Sequence, residues 1–92
     1  MRVALDVTPG LASGLRLQWE PVQEAHVLLY PEGMVKLNGS AAAIMTRCDG
    51  QRTIGEMVTE LEKAYATAGL SGEVLAFIEL AVQRGWLRVQ AE

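Results

Sequence analysis

The chain has 92 residues, half of them hydrophobic and 21% charged, which suits one folded domain with a single core and excludes a disordered chain. Its formal charge is −3 and its eight basic residues are scattered, a poor footprint for nucleic-acid binding, where affinity rests on clustered Lys and Arg. Apolar runs such as Ala41 to Met45 are too short to cross a bilayer, and the N-terminus lacks the apolar region of a secretory signal, so a soluble, cytoplasmic protein without a membrane or nucleic-acid partner is expected.

Residues 1–14 contain Pro9, Gly10, Ser13 and Gly14 and show no sustained period, which predicts an irregular N-terminal arm ahead of a domain over residues 15–92. Leu15, Leu17 and Trp19 alternate with Arg16 and Gln18, the period of a half-buried strand, and Glu20-Pro21 stops it. His26 to Tyr30 and Met34 to Leu37 are strand formers on either side of Tyr30-Pro31-Glu32-Gly33. Proline presets φ for the first central position of a turn, so a hairpin is predicted. Three strands form a small antiparallel meander that needs helices on its apolar face.

Asn38 or Ser40 can cap a first helix, in which Ala41, Ile44, Met45 and Cys48 share one face. Asp49-Gly50 predicts its end, glycine taking the left-handed geometry of many helix ends. Thr53 with Glu56 three residues on is a capping box. It opens a second helix whose apolar face is Ile54, Met57, Val58, Leu61 and Tyr65. Gly55 weakens the first turn of that helix by roughly 1 kcal/mol relative to alanine. A third helix is expected from about Ser71 to Arg84, with Gly85 just past its end. Val74, Ile78, Ala81 and Val82 form its core stripe, flanked by Leu75 and Phe77, while Leu80 falls on the side expected to face water. Trp86 to Val89 alternates again, as an extended tail against the sheet. The expected class is α+β: a small winged-helix-like domain with a three-stranded antiparallel sheet followed by a three-helix bundle.

The chemistry of catalysis is hard to assemble from these residues. His26 and Cys48 are the lone histidine and cysteine, they sit in different elements, and neither belongs to a spaced ligand set, so no metal site and no cofactor are expected. Cys48 on an apolar helix face reads as a small core residue. The glycines do not make a phosphate loop with its lysine. Catalysis is therefore not expected.

Two features point to binding. The strand Met34 to Leu37 is expected at a sheet edge with Lys36 as its only guard against pairing with another chain. Leu80 and Phe77 extend the apolar surface of the third helix beyond the core stripe. The bland alternative is that the first strand or the C-terminal tail covers the edge and that Leu80 is a scattered surface leucine.

At Leu28 to Met57 the chain resembles a known family. The run VLLYPEG followed by LNGSAAAIMTRCDGQRTIGEM, with Pro9-Gly10-Leu11 and Leu15-Arg16-Leu17 upstream and LAFIELAVQRGWL downstream, is similar to the PqqD family of pyrroloquinoline quinone (PQQ) biosynthesis, over Pro9 to Leu87. The most specific parts are Leu37-Asn38, Ala41-Ala42 and Cys48-Asp49-Gly50 with Thr53 and Glu56. The resemblance implies a non-catalytic peptide chaperone, a recognition element for ribosomally made, post-translationally modified peptides. It would bind the precursor peptide PqqA and present it to the radical S-adenosylmethionine enzyme PqqE. It also implies a peptide groove between the third strand and the third helix, here Met34 to Leu37 and Ser71 to Arg84.

Strand addition supplies the physics, with main-chain hydrogen bonds for affinity and alternate side-chain pockets for selectivity. The expected site is the backbone of Met34, Val35, Lys36 and Leu37, an apolar wall of Leu75, Phe77, Ile78 and Leu80, and Lys36 and Arg84 for acidic side chains. The helix residues come from the helical wheel, because the family pattern does not fix them. Two other functions stay open: a winged-helix DNA-binding transcriptional regulator, and a structural homodimer that pairs through the same edge.

Overall fold

The structure, a computed structural model, describes residues 3–90. Residues 1–2 of the expected arm and 91–92 of the expected domain lie outside them. The elements in chain order are β1 (Thr8–Leu11), β2 (Arg16–Glu20), β3 (Ala25–Tyr30), β4 (Gly33–Lys36), α1 (Gly39–Met45), α2 (Ile54–Ala64), α3 (Ser71–Gln83) and β5 (Leu87–Gln90). The α+β class with a three-stranded antiparallel sheet and three helices is as expected. The winged-helix description is loose, since a second, two-stranded sheet joins residues 8–11 to 87–90.

In the larger sheet the order is β2-β3-β4. Leu17, Leu28 and Val35 stand opposite one another across the three strands, and Leu28 is fully buried. Residues two apart share a face, so His26 and Leu37 point the same way as this row. Side chains from the sheet and from all three helices meet in one cluster, with Leu28, Met45, Ile54, Met57 and Ile78 at its centre. Each such residue stabilises the fold by about 1.5–3 kcal/mol relative to an exposed side chain.

Part of the expected irregular arm is regular. Residues 8–11 form β1, antiparallel to β5 with Leu11 opposite Leu87, and the tail expected against the larger sheet is the partner strand. Ala12 N–H donates to the Trp86 carbonyl at 3.0 Å, so the antiparallel alternation puts Pro9 at a position that does not bond β5. Its missing donor costs nothing there. Its carbonyl, turned the other way, accepts from Gly50 N–H at 2.9 Å. The left-handed φ of Gly50, +75°, serves this bridge and not the end of α1, which stops earlier, at Met45, with Thr46 as its cap.

Upstream of β1, the arm closes the start of α2. The carbonyls of Val7 and Leu5 accept from Ile54 N–H at 3.0 Å and Gly55 N–H at 2.8 Å, two first-turn amides that a helix cannot satisfy itself. The capping box supplies the others: Glu56 N–H donates to Thr53 Oγ1 at 3.1 Å, and Thr53 N–H to Glu56 Oε1 at 2.8 Å. Gly55 thus sits under a chain crossing, with a Cβ at that position 3.4 Å from the Leu5 carbonyl oxygen. The turn expected to be soft is braced by the arm. Val3 and Val7 are buried beside it.

Asn38, not Ser40, caps α1, its Oδ1 accepting from Ala41 N–H at 2.8 Å. Tyr65, expected on the buried face of α2, is 57% exposed at the helix end. The chain then turns through Ala66 at φ +51°, and Thr67 N–H reaches back to the Glu62 carbonyl at 2.9 Å. Glu62 also accepts Leu70 N–H at 3.0 Å, at the start of α3. At the other end Gly85, φ +79°, lies just past α3 as expected, and Trp86 N–H donates to the Ala81 carbonyl at 2.9 Å.

Candidate functional site

The β4 edge follows from the hairpin register. Tyr30 faces Gly33 and Leu28 faces Val35, and Leu37 N–H donates to the His26 carbonyl at 3.0 Å. Opposed residues in an antiparallel pair alternate between bonded and non-bonded. Gly33, Val35 and Leu37 therefore turn their backbone groups to β3, while Met34 and Lys36 turn theirs outward. No strand pairs with β4 on that side among the described residues. Neither expected cover is in place: the strand expected first, β2, pairs with β3, and the tail pairs with β1.

Two clefts relate the ends of helix α3 to the two ends of β4. One cleft joins the hairpin turn (Tyr30, Pro31, Glu32) to the end of α3 (Arg84, Gly85, Trp86). A second joins the start of α1 (Ser40, Ala43) to the start of α3 (Leu70, Glu73, Val74). The order of these two clefts sets strand and helix in opposite senses, and the line that joins the clefts is the candidate groove.

The flank of α3 that faces this groove is fixed by geometry. Successive residues advance about 100° around a helix, so Glu73, Phe77, Leu80 and Arg84 form one stripe, and both of α3's cleft-lining charges, Glu73 and Arg84, belong to it. On the opposite flank Glu79 accepts Val3 N–H at 3.5 Å, and Leu75 shares that flank. The core stripe, Val74, Ile78 and Ala81, lies between them.

Each expected site residue can be placed on this frame. Met34 is 55% exposed and Lys36 is exposed, with free main-chain groups. Val35 and Leu37 have theirs bonded to β3, and Leu37 is buried. Phe77 is half-buried and Leu80 42% exposed on the groove flank. Arg84 stands there too, its guanidinium 5.5 Å from the centroid of the Trp86 ring. Ile78 is completely buried in the core, and Leu75 is half-buried on the far flank. Both are displaced from the expected wall.

Glu73, Leu70 and Tyr65 were absent from the expected site and stand at its Ser40 end. The stripe spacing of Glu73 with Phe77, Leu80 and Arg84 was the available signal; nothing local marked Leu70 or Tyr65.

Cys48 is buried, its thiol donating to the Ile44 carbonyl at 3.3 Å. Burial, with the charge of Asp49 adding to it, pushes its pKa up to about 12. The thiol stays protonated at neutral pH, which removes its nucleophilic form. Asp49 has its carboxyl below the usual range, chiefly because Gln51 N–H donates to it, at 2.9 Å, with Arg52 also bonded. Arg52 and Arg47 both reach Glu60, tying the ends of α1 and the following loop to α2. No described helix is long and apolar enough to cross a membrane.

Residues 25–87 match the family model described as Coenzyme PQQ synthesis protein D (PqqD). The chain is 48% identical over 89 residues to a PqqA binding protein of Stutzerimonas stutzeri, covering 96% of this chain and 97% of that one. A PqqA binding protein of Azotobacter vinelandii is 49% identical over 86 residues, 92% of this chain and 94% of the relative. The fold matches, with a TM-score of 0.77 at 29% identity, the solution NMR structure of the PqqD truncation of Methylobacterium extorquens PqqCD, covering 96% of this chain and 95% of that one. That protein is described as a functional, stand-alone recognition element for ribosomally synthesized and post-translationally modified peptides.

Proposed function

The chain belongs to the PqqD family, and from that premise we propose that it binds the precursor peptide PqqA by strand addition, as a non-catalytic chaperone in PQQ biosynthesis. The observation that carries this reading is the unpaired side of β4 beside the Glu73–Arg84 flank of α3. A peptide strand bonded to the main chain of Met34 and Lys36 would send alternate side chains toward the helix, against Phe77 and Leu80, and to the opposite sheet face. The contacts would be few and the bound strand short, so affinity would rest on the fit of those alternate side chains. Lys36 and Arg84 supply positive charge to the groove, and acidic side chains of the peptide would be favoured near them. Presentation of the bound peptide to the radical S-adenosylmethionine enzyme PqqE, in the cytoplasm, completes the proposed role. The same edge is where a second copy of the chain would pair if the protein formed homodimers.

Titration of isotope-labelled protein with PqqA peptide, followed by amide shifts, tests this. Shifts concentrated on residues 33–37 and on the Glu73, Phe77, Leu80 and Arg84 flank are expected. Shifts confined to β1, β5 or the β2–β3 turn would overturn the site, and absence of binding would overturn the function. Sizing across a concentration series, with and without peptide, separates self-pairing from peptide capture.

A further inference from the structure

The cleft at the Ser40 end of the groove has a largely apolar lining. Ala43, Ile44, Leu61, Tyr65, Leu70 and Val74 surround it, and Glu73 is its one charged residue. The sequence explains the open space. The helix α1 opens with Gly39-Ser40-Ala41-Ala42-Ala43, side chains too small to reach across to the half-exposed Tyr65 and Leu70. Interiors normally pack to the density of organic crystals, and water in such a cleft finds few polar partners. The space would hold its contacts better when filled.

Its dimensions narrow the occupant. The cleft holds about 210 Å³, below the roughly 300–1,000 Å³ typical of small-molecule sites, and suits one side chain. Its position at the end of the groove makes a strand lying on β4 the natural source. Glu73 takes part in no ion pair among the described residues, so a cation beside the buried group would be matched in charge.

We propose that this cleft is an anchor pocket for one large apolar side chain of the precursor peptide, with a neighbouring basic residue of the peptide paired to Glu73. The inference rests on the peptide-binding reading and deepens it from backbone pairing to a side-chain requirement. The anchor then lies beyond the peptide residue paired with Lys36, toward the start of α1. The peptide is thereby held at two places, by main chain along β4 and by one side chain past its end, and the anchor fixes the register that an edge strand alone leaves free to slip.

The test compares PqqA affinity of the native protein with Ala43→Leu, which fills the cleft, and Glu73→Lys, which reverses its charge. Affinity is expected to fall at least tenfold in Ala43→Leu and about threefold to tenfold in Glu73→Lys. The loss in Glu73→Lys should shrink as salt is raised. Amide shifts at Met34 and Lys36 at peptide saturation should persist in both. Isotope-filtered NOEs from the Ile44, Leu70 and Val74 methyl groups of the native protein to an apolar peptide side chain are expected as well, and they decide the matter if Ala43→Leu fails to fold. Affinities within twofold of native in both folded variants, or absence of those NOEs while the β4 amides shift, would overturn the anchor and leave strand addition standing. A native protein that does not bind PqqA would overturn both.

Discussion

Cys48 shows how a single buried group writes itself into the stability of the molecule. The folded chain holds its thiol protonated up to about pH 12, against an ordinary value of 9.0. The unfolded chain therefore loses this proton first as the solution becomes alkaline. The resulting stabilisation is fully present below pH 9 and is lost as the pH rises from there through about 12, by up to about 1.4 kcal/mol per pH unit. Chemical denaturation of the native protein and Cys48→Ala at pH 8 and pH 10.5 checks this: the native protein should lose stability more steeply than the variant by about that slope, the titration of other groups cancelling in the difference. Alkylation of the thiol in the folded state should be slow for the same reason. The apolar setting of Cys48 was legible from its place on a helix face with Ala41, Ile44 and Met45. The positions of Ile78 and Leu75 were less so, because a helical wheel orders residues around an axis without saying which flank meets which neighbour. The arm's contact with Glu79 settles that, and no local pattern announces a partner 76 residues away in sequence.

At the scale of elements, the ends of helices and strands carry the testable differences. Ala66 holds a left-handed φ of +51° at the position following the end of α2, where glycine is favoured because a Cβ costs about 1–2 kcal/mol. Glycine loses some of that gain through greater freedom in the unfolded chain. Ala66→Gly is thus expected to stabilise the protein by about 0.5–1 kcal/mol in a denaturant titration. On β4 the alternation of the ladder gives neighbouring residues opposite responses to proline. Lys36→Pro removes an outward N–H and should retain the amide spectrum of the fold while weakening PqqA binding at least tenfold. Val35→Pro removes an N–H bonded to β3 and should destabilise the sheet by roughly 3 kcal/mol. The hairpin that creates this asymmetry was legible, since Pro31-Glu32 fixes a two-residue turn between two strand-forming runs. β1 was not: four residues containing Pro9 and Gly10 have neither alternation nor propensity, and they become a strand because β5 and Gly50 take up their backbone groups.

For the whole molecule, the two sides of the helical layer have different work. On one side residues 3–11 wrap the structure: Val3 and Val7 are buried, the carbonyls of Leu5 and Val7 cap α2, and β1 holds β5. On the other side β4 ends the sheet with its outer groups free and α3 presents Phe77 and Leu80. One side closes the fold so that the other can stay open. Removing residues 1–7 should therefore separate stability from binding. Two buried valines contribute about 1.5–3 kcal/mol each, and two helix amides left without partners cost up to about 1–3 kcal/mol each unless water replaces the lost carbonyls. The valines alone set a loss of roughly 3–6 kcal/mol, a large share of the 5–15 kcal/mol that holds a typical domain, and thermal unfolding would show it as a large fall in midpoint. PqqA affinity, measured well below that midpoint, should stay within about twofold of native, because the hydrogen bonds of residues 3–7 to other elements, among the described residues, go to the start of α2 and to Glu79 on the far flank of α3. A truncated chain that remains folded yet no longer binds peptide would show that the arm belongs to the site and that the division into a closing side and a binding side is wrong.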